Sequence, residues 1–210
     1  MDINPSDLPD REVYKLLTAS IVPRPIAWVS SVSASGQPNL APFSFFNAVC
    51  SAPPTVLFCT GIRGVDKSPK DTYHNIRDTG EFVINFATEA LAEAMNITAV
   101  EVPAHINEFE RAGLTAAPGR TVNVPHVAES PIHFECKLRE IVTISEAPGG
   151  GHVIIGTVTH MHFDESVYRD GNYIDLAAYQ PIGRLMGSAY TRVTDVFDII
   201  RPPSEITPKP

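Results

Sequence analysis

A chain of 210 residues, 43% hydrophobic and 19% charged, can bury a sizeable core without disulfide or metal staples, and its composition excludes the disordered and fibrous classes. The formal net charge of -8 argues against a protein built around nucleic-acid phosphates, so any phosphate site is a small local pocket. No apolar run approaches the roughly 20 residues of a membrane span, and the polar amino terminus reads as neither a secretory signal nor a transit peptide. Cys50, Cys59 and Cys136 lack CxxC spacing; three buried thiols in a cytoplasmic protein are expected, with no nucleic-acid or membrane partner.

In chain order, Asp10 to Thr18 reads as a short lead-in helix, broken by the stretch from Ile21 to Pro25. Ile26 to Val32 is a β-rich run, Ser35-Gly36 a turn, and Leu40 to Cys50 a second extended stretch that forms a hairpin with the first. After Ala52-Pro53-Pro54, Thr55 to Thr60 is apolar throughout and is expected to be buried on both faces. Ser68-Pro69-Lys70-Asp71 joins an N-cap serine, a proline at the first helical position and a carboxylate three residues after the cap. The helix it opens continues through Ile76 to a left-handed stop at Gly80. Phe82 to Phe86 alternates as a strand, and Thr88 caps a second helix from Glu89 to about Thr98. Pro103 to Pro131 reads as loops with one helical turn from Asn107 to Ala112. Ile132 to Ser145 and Val153 to Phe163, joined by Pro148-Gly149-Gly150-Gly151, form an antiparallel hairpin. Gly171 to Pro210 is mixed and ends in a Pro-rich tail. Six or more strands against two firm helices predict a mainly β fold, a closed barrel with peripheral helices. No GxGxxG stands between a strand and a helix, so a doubly wound dinucleotide fold has no support.

Two segments carry the chemistry. The start of the helix at Ser68 exposes backbone N–H groups and the positive end of the helix dipole, and Lys70 and Thr72 in its first turn add a charge and a hydroxyl. That makes a monophosphate cradle, although plain capping with solvated side chains explains the same residues. Ala41 to Asn47 crowds Phe43, Phe45 and Phe46 beside Ser44 and Asn47, which suits the apolar walls and few polar partners of a flat heterocycle and equally suits a core strand. Trp28, with Ser30 and Ser31 nearby, either flanks a planar ligand or packs in the core. Arg24 either neutralises a phosphate or lies at the surface. His160 and His162 share one strand face, a spacing a metal can use, but no third ligand accompanies them and no metal is expected. There is no GxSxG, and no Cys/His pairing is identifiable.

In this order and spacing, RPIAWVSSVSASGQPNLAPFSFFNAVCSAPPTVLF, KDTYHNIRDTGEFVINF, ESPIHFECKL and QPIGRLMGSAYTRV with Arg201-Pro202 resemble the flavin reductase-like family of FMN-binding split barrels. The resemblance runs from about Ile21 to about Pro202. It implies a split antiparallel β-barrel over residues 21–202, with a lead-in of 1–20 and a tail of 203–210. It also implies FMN at a homodimer interface, with Trp28, Ser30 and Ser31 and the segment Pro42, Phe43, Ser44, Phe46 and Asn47 around the ring and ribityl chain. Lys70, Asp71 and Thr72 receive the phosphate, and Arg184 lies near the pocket or dimer seam. Here the pattern departs from the usual form, since Met186 stands where glycine is frequent. The implied activity is hydride transfer from NAD(P)H to FMN, then passage of electrons to an acceptor, with an oxygenase or other electron acceptor as partner and no catalytic side chain. The alternatives are an FMN electron carrier reduced by a protein partner, and a split-barrel module for another cofactor.

Overall fold

A computed structural model of the protein describes residues 1–204, so residues 205–210 of the Pro-rich tail lie outside the described residues. The main elements are α1 (Asp10–Ser20), β1 (Ala27–Val32), β2 (Pro38–Phe43), β3 (Phe46–Ser51), β4 (Pro54–Gly61), α2 (Asp71–Thr79), β5 (Glu81–Asn85), α3 (Ala92–Ile97), α4 (Glu108–Arg111), β6 (Ala116–Ala117), β7 (His126–Val127), β8 (Ile132–Ser145) and β9 (Gly151–Phe163). After them come the short ladder β10 (Tyr168–Arg169) with β11 (Tyr173–Ile174), α5 (Leu176–Tyr179), and β12 (Ile182–Arg184) paired with β13 (Tyr190–Arg192).

The central sheet has seven strands in the order β2-β1-β5-β8-β9-β4-β3, antiparallel throughout. Its two edge strands, β2 and β3, follow one another in the chain and are separated only by Ser44 and Phe45. The stretch expected as one strand from Leu40 to Cys50 is therefore two strands, one at each edge. The sheet curls until the edge strand β2 comes against β4, the Phe43 and Phe58 rings lying 5.1 Å apart, while the N–H of Cys59 donates to the Phe45 carbonyl at 2.8 Å and carries the β3–β4 pairing up to that corner. No ladder joins β2 to β3. The mainly β, split-barrel expectation holds, while closure by hydrogen bonds does not: the change of sheet edge at Ser44-Phe45 leaves a seam.

Strand alternation sorts two cores. Ala27, Val29, Phe43, Phe58, Phe82, Ile84 and Ile154 fill the barrel interior. Trp28 and Leu40, one residue out of phase, point the other way and pack with Met95, Phe109, Val127 and Ile182 under α3 and α4. β4 is not buried on both faces but alternates, with Val56 and Phe58 buried and Leu57 and Cys59 only half-buried. The expectation of three buried thiols is also corrected: Cys136 is buried, Cys59 intermediate and Cys50 exposed, because Cys50 lies on the exposed edge strand β3.

α2 ends as expected, with Gly80 at φ +73°, but begins at Asp71 rather than at the predicted cap. Ser68 turns away to Asp66, its backbone N–H and hydroxyl both donating to Oδ1, at 3.0 and 2.7 Å. Pro69 bridges to Ile62. Lys70 thereby takes the cap position, with no side-chain cap bond. Asn107 does cap α4, accepting from the Phe109 N–H at 3.0 Å.

Candidate functional site

Three cavities adjoin one another along the seam. The first, about 330 Å³, is walled by Arg24, Pro42, Ser44, Arg184 and Tyr190, and the second, about 490 Å³, by Phe43, Phe45, Thr60, the Gly149–Gly151 turn and His152. Tyr14, Pro42 and Ser44 belong to both. Lys70 joins the second cavity to a recess of about 30 Å³ that also includes Asn39, Arg63, Asp71, Thr72 and Thr98. The assembly is a wide, partly apolar cleft leading into a narrow polar end.

That polar end is built from behind. The Asn39 amide donates to Thr72 Oγ1 at 2.9 Å and to Ser31 Oγ at 3.3 Å, and Asn75 donates to the same serine at 3.1 Å. Ser31 is fully buried and Thr72 1% exposed, so this network fixes the first turn of α2 against β1 and β2. Thr72 accepts from Asn39 and keeps its own O–H for another acceptor. Lys70 Nζ lies 3.0 Å from Glu101, and Arg63 pairs with Asp71. Glu108 is buried beside them, accepting from the Leu40 N–H at 3.2 Å, and burial pushes its carboxyl pKa up. Both cations of the recess are thus held by carboxylates that an entering anion would displace.

At the first cavity, Arg24 is 4% exposed. Its guanidinium donates to the carbonyls of Thr18 (2.6 Å), Ile21 (2.8 Å) and Leu185 (2.9 Å) and to Ser44 Oγ (3.3 Å). Arg184 lies over the Tyr190 ring, 4.5 Å from its centroid, bonds its hydroxyl and donates to the Gly187 carbonyl at 2.5 Å. Gly187, at φ +61°, supplies the left-handed residue of that turn, so Met186 is accommodated beside it. In the second cavity, His152 stacks on Tyr73 with centroids 4.1 Å apart, and its Nδ1 lies 3.0 Å from Thr143 Oγ1. Burial lowers its pKa. His152 Nε2 and the opposed Thr60 Oγ1 are buried without partners among the described residues, which leaves unspent hydrogen-bonding capacity in that wall.

Of the residues singled out from sequence, Pro42, Phe43, Ser44, Lys70, Asp71, Thr72 and Arg184 line the connected cavities. Trp28, Ser30 and Ser31 do not. The Trp28 indole donates to Thr98 Oγ1 at 2.9 Å, thereby bracing the recess, and Ser30 donates to the Pro125 carbonyl at 2.6 Å. Phe46 packs on the barrel core, and Asn47 is exposed, its Oδ1 accepting from the Ala48 N–H. Sequence reasoning missed Tyr14, Asn39, Arg63, Thr60 and His152. The Arg24-Pro25 pair ahead of β1 signalled Arg24, but not its role. His162 stacks on His133, and His133 on His126, at 4.7 and 3.9 Å; no group of three or more His, Cys, Asp or Glu among the described residues is placed to hold a metal.

Residues 19–181 match the family model described as the flavin reductase like domain. An uncharacterized protein of Halalkalibacterium halodurans is 38% identical over 204 residues, covering 96% of this chain and 97% of its own. Among solved structures, nitrilotriacetate monooxygenase component B from Bacillus cereus is similar at TM-score 0.90 and 34% identity, over 95% of this chain and 98% of that one. The 2-nitrobenzoate 2-nitroreductase of Pseudomonas fluorescens is similar at TM-score 0.85 and 33% identity, over 98% and 100%. Flavoredoxin of Desulfovibrio vulgaris, at 24% identity and TM-score 0.73 over 85% and 91%, shares the fold.

Proposed function

The chain belongs to the flavin reductase-like family, and on that premise we propose that it binds FMN noncovalently and is an NAD(P)H-dependent flavin reductase acting as a homodimer. The observation that carries the reading is the continuity of the three cavities, wide and partly apolar at one end and narrow and polar at the other, the first two sharing Tyr14, Pro42 and Ser44 and the last two sharing Lys70. A ring system, a polyol chain and a phosphate in sequence match that succession. The Thr60 hydroxyl and His152 Nε2, both without partners among the described residues, suit a ligand edge rich in donors and acceptors.

In this reading Lys70, Arg63 and the free O–H of Thr72 hold the phosphate at the start of α2, where the backbone N–H groups add to the attraction. Pro42, Phe43 and Ser44 wall the ring, while Asn39, Ser31 and Trp28 brace the phosphate end from behind. Arg24 and Arg184 bring positive charge to the first cavity, which favours an electron-rich ligand. FMN, when bound, supplies hydride acceptance; the protein places two rings against each other and excludes water, and no side chain has to give or take a proton. The names of the similar structures fit a protein that hands its electrons to an oxygenase component or another acceptor.

The test is anaerobic mixing of the FMN-loaded protein with NADH and NADPH separately, following the visible flavin band. Rapid bleaching by either is expected and gives the donor preference. Binding without reduction by either would make the protein an electron carrier served by a protein donor, and no FMN binding would overturn the reading. Lys70→Ala with Thr72→Ala is expected to weaken FMN binding by roughly a hundredfold, two charge-assisted or polar contacts of about 1–2 kcal/mol each, in a protein that still folds. An unchanged FMN affinity would reject the cradle.

A further inference from the structure

α1 is held in an unusual way. Of its residues only Thr18 is buried, while Leu16 and Leu17 are 44% and 48% exposed, so packing of an apolar face does not explain its position. Its two ends explain it instead. Asp10 lies against the turn between β8 and β9, its Oδ2 3.5 Å from where a side chain on Gly149 would begin. At the other end the Arg24 guanidinium takes the carbonyls of Thr18 and Ile21, a fixed latch on the last turn. Between these points the helix crosses the cleft as a strap.

Tyr14 is the residue the strap presents. It lines both large cavities, and its ring lies 6.4 Å from that of Phe45, tilted by 33°. Yet it is 59% exposed, and its hydroxyl makes no hydrogen bond among the described residues. A large aromatic side chain left open, aimed at a cleft and facing a second exposed ring, lacks a partner that a flat ligand would provide.

We propose that α1 is a wall of the ligand cleft, and that Tyr14 is a specificity-determining residue that packs on a planar heterocycle bound there. The inference rests on the flavin reading and extends the site into residues 1–18, the segment ahead of the family match. The shared chemistry is a flat aromatic ring, either the isoalloxazine of FMN or the nicotinamide of the donor. Truncating an exposed side chain leaves the core untouched, so Tyr14→Ala tests binding rather than folding.

The wild type, Tyr14→Ala and Tyr14→Phe are compared for FMN affinity, by quenching of flavin fluorescence, and for donor KM. If Tyr14 packs on the isoalloxazine, Tyr14→Ala weakens FMN roughly tenfold; if on the nicotinamide, FMN affinity holds and donor KM rises by a similar factor. Tyr14→Phe keeps the ring and stays within about twofold of wild type in either case. Hydrogen exchange of residues 10–20 is expected to slow when FMN is added, because ligand contact would fasten a strap now tied at its ends. A wild type that binds FMN alongside a Tyr14→Ala protein with unchanged affinity and unchanged KM overturns this inference alone. A wild type that binds no FMN overturns the flavin reading beneath it.

Discussion

Arg24 shows how one side chain can join three segments. Its buried guanidinium satisfies the last turn of α1, the Ser44 corner and the Leu185 carbonyl together, and burial lowers its pKa from the ordinary arginine value. Arg24→Ala is therefore expected to cost about 3 kcal/mol in a urea titration, since it strands buried carbonyls as well as removing a charge-assisted donor. Arg24→Lys should recover less than half, because a point-like ammonium cannot span the directions that the planar fork covers. Equal stability of all three proteins would show the latch to be idle. From sequence, Arg24 stood between a phosphate partner and a surface residue; the structure buries it, which removes the surface reading. Its acceptors come from residues 18, 21, 44 and 185, and three of them are backbone carbonyls whose convergence only the folded chain creates. Lys70 and Thr72, which line the narrow end of the cleft, could be singled out for the opposite reason, since the first turn of a helix is a local object even where its cap is not.

Among the elements, those with strong local periodicity were read correctly and those defined by their partners were not. β8 and β9 fell where a glycine-rich turn between β-rich runs put them. The break at Ser44-Phe45 was missed because nothing in an unbroken extended run says that its halves join opposite edges of the sheet. The start of α2 was misread because Ser68 found Asp66 before it could cap the helix. The same dependence on partners sets the behaviour of β7, β8 and β9, which bring His126, His133 and His162 into one face-to-face column. His133 sits in the middle, 4% exposed, and its pKa is lowered to about 4 by burial first and then by the neighbouring imidazoles of His126, His162 and His160, with the Glu135 carboxylate opposing. An unfolded chain protonates this residue near pH 6.5, whereas the folded one resists until about pH 4. Between those values the unfolded state binds more protons, so the contribution is whole above pH 6.5 and drains away as pH falls toward 4. The loss reaches about 3 kcal/mol, from the shift of 6.5 to about 4. Denaturant titrations across that window should give a steep acid limb in the wild type and a flatter one in His133→Phe, which keeps an aromatic ring in the stack. Identical limbs would place the acid sensitivity elsewhere.

For the whole molecule, the seam that positions the site is also where the chain leaves apolar surface uncovered. β3 is an edge strand whose residues from Asn47 to Ser51 are all exposed, Val49 at 52% among them, and α1 adds Leu16 and Leu17, with Ile21 just past its end. Beyond β13 the chain carries Val196, Phe197, Ile199 and Ile200 at 61, 79, 82 and 92% exposure. An unpaired edge and clustered apolar side chains on an acidic chain of net charge -8 are costly to leave in water and hazardous for self-association unless a partner covers them. In the proposed homodimer a second copy would cover this surface, the exposed edge of β3 included. A stable dimer of this kind buries about 1,200–2,000 Å² in total. Sedimentation should then give twice the 22.8 kDa chain mass. Phe197→Asp with Ile200→Asp should return the protein to a single chain while its far-ultraviolet circular dichroism stays unchanged, because neither side chain contributes to either core. A wild type that sediments at 22.8 kDa at micromolar concentration would remove the dimer, and the exposed apolar side chains of residues 196–200 would then need another partner to explain them.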